Sequence, residues 1–260
     1  MHHRFKAAFI ALGMMGLSAC GSAPVDMAVF NAEVESLVEA EDRYGKMFVL
    51  LAEHRPELYL KYRDVAITAY GQGYSAKDSS FIAGIELRDE LLLEAQRLSR
   101  GASDEDARDI IRVETSRLEY LQKESPADCA RHVEGKPLEV VKDFPHELLM
   151  AETDLLIQLF DAPQTAENRR AASEKEVLNW TLNVATLEPK VAKLVERLAQ
   201  EKRGKAANAD ICDGTIALNK RLSFRKGETR GTLVRGMALL ALQREQIRRN
   251  IAGEESDETA

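Results

Sequence analysis

The chain has 260 residues with only 7 Pro and 15 Gly, and it carries a formal net charge of −7. That length suffices for one large domain or two lobes with a real core. The acidity argues against general nucleic-acid binding, which needs a basic footprint, and the abundance of Leu, Ala, Glu and Arg favours helix along most of the chain.

The N-terminus opens with His2, His3, Arg4 and Lys6, a polar and basic front. Ala7 to Leu17 follow without a charge, and Leu17-Ser18-Ala19-Cys20 closes the run. A membrane-spanning helix needs about 20 apolar residues. This run is shorter, and Gly21-Ser22-Ala23-Pro24 behind it suits a cleaved segment. A plain secretory signal cut at an Ala-x-Ala-like site is the alternative. With a single Cys at this position, the stretch resembles a bacterial lipoprotein signal with its lipobox. The resemblance covers the first 20 residues only. It implies that residues 1–19 are removed and that Cys20 becomes the first mature residue. Cys20 would carry a thioether-linked diacylglycerol, usually with a further acyl chain such as palmitate on the freed amino group. Two or three acyl chains anchor firmly where one binds marginally. Gly21 and Ser22, rather than the Asp that retains such proteins at the inner membrane of enteric bacteria, lean the expectation toward the outer membrane. Residues 20–25 then form a short tether.

Val25 to Glu53 reads as one long helix. Phe30, Val34, Leu37, Tyr44, Phe48 and Leu51 recur at three- and four-residue steps, with Glu41 the one break. Pro56 suits the first turn of a second helix that runs to about Tyr70 and stops at Gly71-Gln72-Gly73. Ser75 or Asp78 can cap a third, with Phe81, Ile82, Ile85, Leu92 and Leu98 on its buried side, and Gly101 ends it. Ser103 caps a fourth, whose first turn holds Asp104, Glu105 and Asp106 where the helix dipole favours negative charge. Ser125-Pro126 breaks that helix and starts a short one bearing Cys129. Residues 135–145, with two prolines and a glycine, are the weakest stretch for regular structure and the place where two lobes would meet. Pro145 opens a helix that Asp161-Ala162-Pro163 closes. Further helices are expected over about Thr165 to Thr186, from Pro189 to Gly204, from an Asn208 or Asp210 cap through Cys212 to Leu222, and over about Glu228 to Ile251. The acidic tail 252–260 should lack order. No alternating run is long enough for a convincing strand. The expected fold class is all-α, an irregular bundle of nine or ten helices over residues 26–251.

Under the lipoprotein reading Cys129 and Cys212 lie in an oxidising compartment, where two remaining cysteines most simply form a disulfide. Its closed loop of 83 residues corresponds to roughly 4–5 kcal/mol in the chain-entropy model. Two free thiols, or a metal site drawing on Cys129 and His132 at i and i+3, are the alternatives. Three candidate metal ligands are too few in any recognisable spacing.

No chemistry-bearing motif stands out. His54, His132 and His146 have no zinc-protease spacing. Gly71-Gln72-Gly73 lacks the strand–turn–helix context and the Lys of a phosphate loop, and no Gly-x-Ser-x-Gly is present. The sequence therefore reads as a non-enzyme without a cofactor. Two features suit binding. Tyr59, Tyr62, Tyr70 and Tyr74 cluster within 16 residues, the first three on one side of the second helix. Exposed on a rim they would suit recognition; the alternative, which the pattern favours, is that they flank the core with their hydroxyls at the water edge. Residues 220–249, Arg244, Arg248 and Arg249 among them, hold nine Lys or Arg against two Glu. They could face anionic headgroups, an acidic partner, or the protein's own acidic helices. The expectation is a lipid-anchored, periplasm-facing envelope protein that binds another protein as a structural or adaptor component. An immunity or inhibitor lipoprotein that guards the periplasm against a lytic toxin or enzyme is the alternative.

Overall fold

The computed structural model describes residues 25–162, 169–200 and 205–257, with the backbone alone at 205 and 248–257. Among these residues there are twelve helices and no strand, and no helix is long and apolar enough to cross a membrane. The expected all-α class holds. The expected signal, Cys20 and the start of the expected tether lie outside the described residues. The chain divides into two compact units between Arg88 and Asp89. Residues 135–145, where the sequence reading places a meeting of lobes, fall inside the second unit.

The first unit packs α1 (Met27–Glu39), α2 (Arg43–His54), α3 (Pro56–Gly71) and α4 (Ala76–Glu86) against one another. The continuous helix expected over 25–53 is two helices. Glu41 takes φ 52°, in the left-handed region. The Asp42 N–H then reaches back to the Leu37 carbonyl at 2.9 Å, which terminates α1 as a left-handed cap does. The Asp42 carboxylate restarts the chain by accepting from Tyr44 N–H at 3.0 Å. Gly45 lets α2 fold back tightly. A β-carbon there would lie 2.5 Å from the backbone of Leu37 and Val38. The apolar periodicity survives the break, because both halves bury the same face: Phe30 and Val34 from α1, Tyr44, Phe48 and Leu51 from α2.

The expected third helix is also two. Leu87 ends α4, and α5 (Arg88–Ser99) continues into the second unit. These two interruptions account for twelve helices where ten are legible in the sequence.

The second unit is built around α6 (Asp106–Glu124), α7 (Pro126–Val133) and α11 (Lys205–Ser223), with α8 (His146–Asp161), α9 (Glu174–Ala185), α10 (Pro189–Leu198) and α12 (Gly227–Asp257) around them. Leu118, Leu121, Cys129, Cys212 and Ile216 form one core cluster, and Val191, Leu194, Ile211 and Leu218 contribute to another. Gly214 sits where α10 and α11 touch. A β-carbon there would lie 2.4 Å from the Leu194 β-carbon.

Several expected boundaries move. Ser103 N–H donates to the Asp106 carboxylate at 2.8 Å and Asp106 N–H donates to the Ser103 hydroxyl at 3.0 Å, so that start is as expected. The helix expected from Thr165 begins only at Glu174. Its reciprocal cap is Ser173 with Glu176, a Ser-x-x-Glu signature, and residues 163–168 lie outside the described ones. Asn208 and Asp210 are interior to α11 rather than capping it. The backbone continues α12 through Asp257, past the end near Ile251 read from the sequence.

Candidate functional site

The structure joins Cys129 and Cys212 in a disulfide, with α-carbons 5.8 Å apart across 83 residues of chain. Both cysteines are fully buried. The bond clamps the short α7 to the central α11 beneath Leu118 and Leu121.

The stretch 135–145 carries no helix, yet it is tied down. The Asp128 carboxylate, buried on α7, accepts from the backbone N–H groups of Glu139, Val140 and Val141 at 2.9, 2.8 and 2.6 Å. Burial alone would raise the Asp128 pKa. The three backbone donors, with Arg131 nearby, outweigh it and hold the carboxyl below its ordinary value. The Tyr120 hydroxyl donates to the Asp143 carbonyl at 2.9 Å, and Arg131 Nε donates to the Pro137 carbonyl at 2.6 Å. Sequence reasoning missed Asp128, because a carboxylate in a first helical turn already has a reason to be there.

A buried charge network crosses the same unit. Arg117 of α6 donates from Nε to Glu152 of α8 at 2.8 Å and from Nη1 to Glu114 at 2.5 Å. The other oxygen of Glu114 lies 2.9 Å from His132 Nε2 on α7. Burial would lower the Arg117 pKa, but Glu114 and Glu152 outweigh it and raise it. Its hydrogen bonds join α6, α7 and α8, so the network can hold three helices in register. The sequence gives no sign of it, because its members are 3, 15 and 35 residues from Arg117.

An open cleft of about 500 Å³ lies within this unit, lined by Ser103, Asp106, Asp154, Gln158, Asp161 and Arg169 among others. Several of its polar groups have internal partners. Gln158 donates to Asp106 at 2.8 Å, and Arg169 donates to the Gly101 carbonyl at 2.9 Å.

The tyrosines do not form an exposed recognition face. Tyr62 is 1% exposed, and its hydroxyl donates to the Ser80 carbonyl at 2.7 Å. Burial pushes its pKa up. Tyr70 is half-buried and donates to Glu33 at 2.9 Å. That bond, followed by burial, raises its pKa. The other Glu33 oxygen accepts from Ala76 N–H at 3.0 Å, so one carboxylate links α1 to the end of α3 and the start of α4. Tyr59 is half-buried, its ring edge-on to Phe48 at 6.4 Å, and burial raises its pKa. Tyr74 alone is exposed. The cluster is absorbed into an aromatic core in which Phe30, Phe48, Tyr62 and Tyr70 meet edge-to-face at 5.1–6.4 Å. The expectation of a tyrosine binding face is corrected accordingly. Periodicity places residues on one side of a helix but does not say whether that side faces water.

The basic segment is divided between internal and outward uses. Lys220 pairs with Glu119 at 2.6 Å and Arg221 with Glu188 at 3.1 Å. Arg235, 2% exposed, donates to the carbonyls of Arg170 and Ala102 and pairs with Asp104 at 3.3 Å. Arg244 is exposed, and the side chains of Arg248 and Arg249 lie outside the described residues. Comparison of the chain with protein-family models, curated proteins and solved structures gives no match.

Proposed function

We propose that this chain is a lipid-anchored, periplasm-facing envelope protein that acts by binding another envelope protein as a structural or adaptor component. The observation that carries the reading is Leu17-Ser18-Ala19-Cys20 behind a basic front and a charge-free apolar run. The buried Cys129–Cys212 disulfide supports it, because such bonds persist in exported proteins and are kept reduced in the cytosol. Five residues separate Cys20 from Asp26, the cap of α1, so the tether reaches roughly 20 Å at most and the first helix works close to the bilayer surface. On α9, Leu178 and Leu182 are exposed one turn apart, 52% and 42%, the kind of apolar strip that a protein partner covers.

Cell fractionation tests the reading. Wild-type protein should stay with the membrane fraction and incorporate palmitate, and Cys20→Ser should do neither. Unlabelled protein that stays with the membrane in both forms contradicts the anchor. For the binding half, Leu178→Asp with Leu182→Asp should abolish recovery of the protein that co-purifies with wild type from detergent-solubilised envelopes, at unchanged helix content. Recovery unaffected by the pair would move the partner surface off α9.

A further inference from the structure

The turn between α11 and α12 presents Phe224 to solvent. Its ring is 81% exposed, the most exposed large apolar side chain among the described residues. Arg225 and Lys226 follow it and are also exposed. The turn is held in place. Arg225 N–H donates to the Leu222 carbonyl at 3.0 Å, and the Ser223 hydroxyl donates to the Lys220 carbonyl at 2.7 Å. Arg230 donates to the Arg225 carbonyl at 3.0 Å and to the Asp104 carbonyl at 2.8 Å, and Gly227 makes the reversal at φ 52°. Phe224 is thus displayed by a braced turn rather than shed from a loose one, and nothing in the second unit's core needs it.

Charge surrounds it unevenly. Three acidic neighbours across helices are paired: Glu119 with Lys220, Glu188 with Arg221, and Asp104 with Arg235. Arg225 and Lys226 form no ion pair among the described residues, and Glu228 is the carboxylate left in the turn. The Arg221–Glu188 pair also draws the α9–α10 turn to this end of the unit, and with it Leu187, 76% exposed. The result is a cationic rim around protruding apolar side chains. That is the composition of an interfacial anchor, with the ring entering the acyl boundary and the cations staying among phosphates.

We propose that the Phe224-Arg225-Lys226 turn docks onto an anionic lipid surface, so that the second unit has its own bilayer contact besides the acylated N-terminus. The proposal deepens the lipid-anchored reading and rests on it for the nearness of a bilayer. The occupant follows from charge complementarity: a phosphate-bearing surface matches the rim, and a fluid apolar layer accepts isolated side chains that no rigid pocket has to fit.

The test uses the full chain with Phe224→Trp and Trp180→Phe. Trp180 Nε1 has no hydrogen-bond partner, so its removal orphans nothing. Vesicles carry brominated acyl chains and contain phosphatidylcholine alone or mixed with phosphatidylglycerol. The expected result is a blue shift and quenching of the residue-224 indole on the anionic vesicles only. Arg225→Ala with Lys226→Ala should weaken partitioning of the turn roughly 30-fold, at about fivefold per cation. An indole that stays water-exposed and unquenched on anionic vesicles overturns the proposal, and equal quenching on neutral vesicles overturns the anionic assignment. Protection of residue 224 only when an acidic protein is added gives the turn to a protein partner and overturns the lipid one. Quenching that persists in a chain shown to carry no acyl group on Cys20 supports the turn and sinks the anchor, so the two readings fail separately.

Discussion

Arg117 shows how much one side chain can hold. It is buried beside two carboxylates, and its removal takes from Glu114 and Glu152 the guanidinium they share. Arg117→Ala should therefore cost about 3–5 kcal/mol in urea unfolding, the range for breaking one side of a buried pair. A change under about 1 kcal/mol would show that solvent already screens the network. Asp128 makes a pH-dependent prediction. Its carboxyl is held below the ordinary aspartate value near 3.9. Its contribution is therefore fully present above the unfolded-state pKa and is lost as pH falls through the lower folded one. Amide exchange at Glu139, Val140 and Val141 should stay protected at pH 5 and accelerate only below about pH 4, and Asp128→Asn should abolish that step. Protection unaffected by Asp128→Asn would assign the order of 139–141 to packing instead. Neither residue was legible as important. Each has a plain local reason to be where it is, as a helix-surface Arg or a first-turn Asp, and its second role needs partners brought by the fold.

At the scale of elements, starts were easier to read than continuity. Pro56, Ser103, Pro126 and Pro189 mark helix starts correctly, because a cap or a proline acts on its own few residues. Glu41 interrupts the apolar pattern without showing that the helix ends there, and the break at Leu87 has no mark at all, since the apolar face continues in register and periodicity sees only the face. Gly45 holds the information in retrospect: a glycine inside an otherwise good helix, needed because α2 lies against the α1 backbone. Gly45→Ala should cost about 3 kcal/mol, at the upper end of overpacking penalties, in thermal or urea melts. Glu41→Gly should stabilise by about 0.5–1 kcal/mol by relieving a left-handed non-glycine residue. A neutral Gly45→Ala would mean that α1 and α2 can separate without loss. The tyrosine cluster teaches the complementary lesson. Its residues share a face as expected, but that face is the one covered by Phe30 and Phe48, and no single-helix pattern reports what another helix covers.

At the scale of the whole molecule, the all-α class was available from composition, and the pairing of Cys129 with Cys212 from the cysteine count taken together with the lipoprotein reading, while the division at Arg88–Asp89 was not. It falls just after the start of α5, without the proline or glycine punctuation that makes 135–145 look like a boundary, and that stretch is instead tied to Asp128. Reducing the disulfide should lower stability by roughly 4–5 kcal/mol for its 83-residue loop, measured by denaturation with and without reductant. The proposal that this helical protein is held at a membrane through Cys20 stands or falls with mass spectrometry of the N-terminal peptide of the protein extracted from its native host. The expected chain begins at Cys20 and is heavier by a diacylglyceryl group and an N-linked acyl chain. A mature chain that begins elsewhere, or at Cys20 with a free thiol and a free amine, would contradict it.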